Sequence, residues 1–103
     1  MNWNNKENKQ LLKAILSLKT SDEARRFLRD LMTEKEINEL AKRLKAAEML
    51  AGKVSYLAIE KETGLSSTTI ARVAKWLKGK EGGYRTIIDK LHHDPIQSRG
   101  GLS

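Results

Sequence analysis

With 103 residues, the chain has room for one domain and a modest core, which a second copy could supplement. It has no cysteine, which excludes disulfides and thiolate metal sites, and no apolar run near the roughly 18 residues that span a bilayer. A formal net charge of +7 favours a polyanionic partner, nucleic acid before an acidic membrane surface.

The polar start "MNWNNKENKQ" has no signal-like apolar run, so the chain reads as a soluble cytoplasmic protein. Trp3 there is expected to cover an end of the core. Helical spacing then recurs and strand-like alternation is absent. Leu11, Leu12, Ile15 and Leu16 mark a first helix. Thr20 and Glu23 form a capping box ahead of a second, whose predicted buried stripe is Ala24, Phe27, Leu28 and Leu31. Thr33 and Glu36 form another, ahead of a long helix with Ile37, Leu40, Ala41, Leu44 and Ala47 on one face. Gly52 is the expected left-handed residue at its end.

A short helix follows Ser55 and stops at Gly64. Ser66 caps the next, with Ile70, Val73, Ala74 and Leu77 facing inward. "GKEGGY" reads as a flexible joint, and a last helix is expected to bury Tyr84, Ile87, Ile88 and Leu91. The fold class is therefore all-α, with about six helices. Residues 1–91 are expected to form a single helical domain, and residues 92–103 a mobile tail.

Residues 55–78 have the layout of a helix-turn-helix with Gly64 in the turn. Between Leu65 and Lys80 lie Arg72, Lys75, Lys78 and Lys80, and no acid. The pattern leaves Ser66, Ser67, Thr68, Ala71, Arg72 and Lys75 outward on the second helix. Small residues permit close approach to base edges, hydroxyls bond phosphates or bases, and the two cations meet phosphate or guanine. Ser55 and Tyr56 are candidates for phosphate contact at the start of the first motif helix. Glu60, four residues before the turn glycine, stands where many such motifs have a small residue.

The segments "LMTEKEINELAKRL", "ETGLSSTTIARV" and "GGY" resemble the Trp repressor superfamily, and most of all its Trp-repressor-related, YerC/YecD-like branch. "AILSLKT" and "RRFLRDL" extend the similarity, which covers roughly residues 8–91. The resemblance implies an intertwined homodimer with two recognition helices one DNA turn apart on a palindrome-like operator. It also implies a ligand pocket at Thr33, Arg43 and Arg72, where the Trp repressor holds L-tryptophan between two arginines. This chain departs from the pattern at Val73 and Trp76, which stand where the relative has glycine and serine. Both add bulk, so tryptophan is not expected as corepressor. Trp76 either fills the vacated space as a wedge or extends the core or dimer contact. Arg43 has a plainer role open to it, an ion pair with Glu39.

His92, His93 and Asp94 make a poor chelate, because adjacent helical residues diverge by about 100°. They read as a polar helix end. No catalytic constellation is present and no cofactor is expected. The expectation is a homodimeric, sequence-specific regulator, a repressor acting on double-stranded DNA, with any small-molecule effector unspecified. The alternative is a dimeric helical module docking an acidic protein. An RNA binder is disfavoured by the 5% aromatic content, which leaves few stacking platforms.

Overall fold

A computed structural model describes residues 1–93, within which the chain forms six helices and no strand. They are α1 (Lys6–Leu16), α2 (Ser21–Leu31), α3 (Glu34–Ala51), α4 (Tyr56–Thr63), α5 (Ser67–Lys78) and α6 (Gly83–His93). The tail expected to be mobile lies, beyond His93, outside the described residues. No described helix is long and apolar enough to cross a membrane.

The expected start residues Thr20, Thr33, Ser55 and Ser66 each act through a hydrogen bond, and Asn5, which carried no such expectation, does the same for α1. The side chains of Asn5, Thr20, Thr33, Ser55 and Ser66 accept from the N–H three residues on, at 2.7 to 3.2 Å. These bonds satisfy N–H groups that have no partner inside a helix. The Thr33–Glu36 box is reciprocal: Thr33 N–H donates to Glu36 Oε1 at 2.8 Å. The Thr20–Glu23 box is not, because the Glu23 carboxylate accepts from Lys19 N–H instead, at 2.9 Å.

The chain comprises two compact units, residues 1–37 and the residues from Asn38 onward. In the first, Leu11 and Ala14 of α1 and Phe27 of α2 line a shallow cleft. Neither helix buries a residue. The expected stripe on α2 is thus a correction: Ala24 and Phe27 are half-buried, while Leu28 and Leu31 are exposed. Leu16 is 84% exposed, and Trp3 has no core to cover in this unit.

The second unit holds the core. Ala46 and Ala47 of α3, Ile59 of α4, Leu65 of the turn, Ile70 and Val73 of α5 and Ile88 of α6 form one buried cluster. Leu44, Met49, Leu50, Val54, Leu77 and Tyr84 pack around it. Helix α4 packs on α5, and α5 on α6. Two expected faces shift. On α3 the buried pair is Ala46 and Ala47, and Leu40 and Ala41 are exposed. On α6 Ile88 is buried and Ile87 exposed. Apolar periodicity marks a stripe but not which part of it finds a neighbour.

The end of α3 also departs from expectation. Lys53, not Gly52, takes the left-handed conformation, at φ 66°. Val54 N–H reaches back to the Met49 carbonyl and Lys53 N–H to the Leu50 carbonyl, both at 3.0 Å. This paired closure puts the left-handed residue immediately before Val54, whose side chain joins the core. In the predicted joint, Gly82 is left-handed at φ 71° and Gly83 already begins α6. Arg85 of α6 donates to the Leu77 carbonyl near the end of α5, which ties the two helices across the joint.

Candidate nucleic-acid interface

Helix α5 is held from both sides. Its inward residues Ile70, Val73 and Ala74 are buried, and Leu77 packs on the core. Leu65, immediately after the turn, is buried as well and anchors the approach to the helix. The turn rests on Gly64 at φ 76°, a conformation that costs glycine little and other residues more.

That anchoring leaves the opposite face open. Thr68, Ala71, Arg72 and Lys75 follow the i, i+3, i+4, i+7 spacing that lines one side of a helix, and all four are exposed. Ser67 lies beside them and is exposed too. No acidic residue occurs in α5. The two cations thus keep their attraction for an anion undiminished by a partner on their own helix, and Ala71 offers a gap between them for close approach.

The serines at the helix starts differ in what they have left to give. Ser66 Oγ accepts from Thr69 N–H and donates its proton to Thr69 Oγ1, both at 3.1 Å. Its proton is therefore already committed. Ser55 Oγ accepts from Ala58 N–H at 3.2 Å and keeps its proton for an incoming oxygen. Tyr56, next to it, is exposed. Glu60 is half-buried, and its carbonyl accepts the Gly64 N–H at 2.8 Å.

Of the residues that the resemblance placed at a ligand pocket, one belongs to the first unit and the others to the second. Thr33 caps α3 in the first unit. In the second unit, Arg43 Nε lies 3.7 Å from Glu39 Oε1. That is an ion-pair distance too long for a hydrogen bond, and the Nε has no other partner. Arg72 is exposed on the α5 face, and Val73 is a core residue, 3% exposed. Trp76 is 54% exposed and so lies outside the core of its own chain. It forms one wall of an open groove of about 430 Å³ lined by Leu44, Trp76, Glu81, Gly83, Tyr84 and Ile87. Arg43, Arg72 and Val73 do not line it.

Sequence reasoning missed three features here. The groove joins residues of three helices and was not legible from any one of them. Lys53 carried no glycine-like signal. Thr63 is a buried polar residue whose role depends on the turn that follows it. At the far end of α6, His93 Nδ1 lies 2.9 Å from Asp89 Oδ1 on the same helix, and Asp94 falls outside the described residues.

Comparison with known proteins agrees with this architecture. The family model described as Trp repressor protein matches residues 6–92. A curated relative, the uncharacterized protein YerC of Bacillus subtilis (strain 168), is 42% identical over 93 residues, covering 90% of this chain and 89% of its own. Among solved structures, a TrpR like protein from Eubacterium eligens ATCC 27750 is 38% identical with a TM-score of 0.84, over 88% of this chain and 94% of its own. Sequence and fold together suggest a DNA-binding regulator rather than an enzyme. The chain belongs to the Trp repressor family, in its YerC-like branch.

Proposed function

We propose that the protein is a homodimeric transcriptional regulator, a repressor, which places α5 of each protomer in the major groove of a palindrome-like operator. The observation that carries this reading is the exposed, acid-free face of α5, seated on a core by its other side. Ser67 and Thr68 stand at its first turn, where base edges are met, and Arg72 and Lys75 reach phosphates or a guanine. Ser66 contributes by capping the helix. Ser55 and Tyr56 contact the backbone from the start of α4.

Dimerisation is supported by what the chain leaves uncovered. Helices of 11 residues are marginal in water without packing, since fewer than about 12–15 residues rarely sustain a helix alone. Yet neither α1 nor α2 fully buries a residue. A second copy supplies cover for Leu16, Leu28 and Leu31 and for the groove walled by Trp76 and Ile87.

Tryptophan is not the corepressor in this reading. Val73 is committed to the core, and Trp76 brings an indole where the family resemblance puts a small residue. The α5 face is then competent without a ligand. Calorimetric titration is expected to show no binding of L-tryptophan, and a saturable signal would overturn this part.

The deciding experiment is selection of bound sequences from a random duplex pool. The expected result is a two-fold symmetric consensus with half-sites about 34 Å apart, preferred by about 10³-fold or more over random duplex. A pool that yields no consensus would sink the reading. Salt-dependent capture of an acidic protein would then favour a helical adaptor.

A further inference from the structure

Among the described residues Thr63 is the only buried polar side chain, and the DNA-binding reading gives it no part. Its hydroxyl donates to the Ile59 carbonyl at 2.7 Å and accepts from Leu65 N–H at 3.1 Å. The second bond answers a need created by the way α4 ends. Gly64 N–H bonds to the Glu60 carbonyl at 2.8 Å, and this single-bond closure provides no backbone acceptor for the N–H of the next residue. That residue is Leu65, which is buried, so its N–H requires a partner inside the protein. The end of α3 needs no such help, because Val54 N–H finds the Met49 carbonyl at 3.0 Å. At the turn leading into α5, a side chain takes the place of a backbone acceptor.

We propose that Thr63 is a positioning residue for the α5 face. Its hydroxyl ties the last turn of α4 to the first residue beyond the glycine and so sets the direction in which α5 leaves the turn. The functional consequence rests on the DNA-binding reading above. Helix α5 has 12 residues and is about 18 Å long, so a change of direction by about 5° moves its far end by about 1.5 Å. Hydrogen bonds from short side chains to base edges fail over such a distance. The long side chains of Arg72 and Lys75 follow a phosphate across it. Loss of the latch therefore removes sequence discrimination and spares electrostatic attachment.

The test compares Thr63→Val, which keeps the shape and removes the hydroxyl, with Thr63→Ser, which keeps the hydroxyl. Two quantities are read on the full-length protein, well below its unfolding midpoint. One is the ratio of affinities for the selected operator and for random duplex. The other is the orientation of α5 relative to α4, from residual dipolar couplings of backbone amides. Thr63→Val is expected to lose about tenfold or more of the affinity ratio, the scale of one mismatched base pair. Its affinity for random duplex stays unchanged and its α5 couplings shift, while Thr63→Ser retains both properties. Unaltered couplings and ratio in Thr63→Val overturn the inference, even if the variant melts earlier. A serine variant that behaves like valine overturns it too. If the unmodified protein prefers no duplex, it is the DNA-binding reading that fails, and the couplings alone decide. Helix α5 reoriented in Thr63→Val but not in Thr63→Ser sustains the latch, and α5 fixed in both rejects it.

Discussion

Residues 1–37 and the residues from Asn38 onward begin their helices in the same way and part company over burial. In the first unit, Asn5, Thr20 and Thr33 each cap a helix with a side-chain hydrogen bond, yet α1 and α2 fully bury no residue. In the second, Ser55 and Ser66 make equivalent caps, and the helices they start deliver Ile59, Ile70 and Val73 to a common core. A cap decides where a helix begins because it joins residues three apart. It contributes about 1 kcal/mol, whereas burying one large aliphatic side chain contributes about 1.5–3 kcal/mol. The second unit thus carries its own reason to be folded. The first has helices whose apolar sides await cover.

The sharpest probe of this contrast is a pair of truncations. Ile59 is fully buried, and Ile59→Ala is expected to cost about 2–5 kcal/mol in denaturant unfolding. Leu31→Ala should cost within about 0.5 kcal/mol if Leu31 stays exposed as it is in the single chain. If a second copy covers α2, the loss rises to about 2 kcal/mol, and the unfolding midpoint depends on protein concentration. An unfolding midpoint independent of concentration, with Leu31→Ala silent, would break the dimer reading.

Charge provides the next comparison. Lys75→Ala should flatten the salt dependence of DNA affinity by about one unit per protomer and weaken all sequences alike. Lys13→Ala, in the first unit, should leave the slope unchanged. Equal effects at both positions would show that binding is diffuse and that α5 has no special place in it.

The helix ends offer smaller effects. Thr33→Ala removes the cap of α3 and should lower stability by about 1 kcal/mol. Backbone and side-chain hydrogen bonds with Thr33 hold the Glu36 carboxyl below its ordinary value of 4.5. A group whose folded-state value is depressed stabilises the fold above its unfolded value and loses that contribution as pH falls through the folded one. The Glu36 contribution is therefore full above about pH 4.5 and fades below it, a dependence that Glu36→Ala should remove from acid unfolding curves. Lys53→Gly relieves a left-handed lysine and should raise stability by about 0.5–1 kcal/mol. A loss of stability there would mean that the Lys53 side chain makes a contact worth more than the strain.

The exposed face of α5 was largely legible in the sequence. Its elements are local: a serine cap, a glycine turn and an outward stripe at helical spacing. Ser67, Thr68, Ala71, Arg72 and Lys75 lie on the open side of α5 because Ile70, Val73 and Ala74 of the same turns are buried. Ser66 was legible as a cap, but not as a hydroxyl whose proton goes to Thr69. Thr63 gave no signal, since threonine near a helix end is ordinarily solvated and its latch depends on the burial of Leu65.

Sequence alone determined the number of helices, the residues that start most of them and the face that α5 leaves open, because caps and periodicity act within a few residues. Tertiary structure decided that Ala46 is buried and Ile87 is not, that Lys53 rather than Gly52 turns left-handed, and that Trp76 walls a groove instead of filling a core. The physical reason is that burial is a relation between distant segments. An apolar stripe declares a surface that must be covered, and only packing determines which segment covers it.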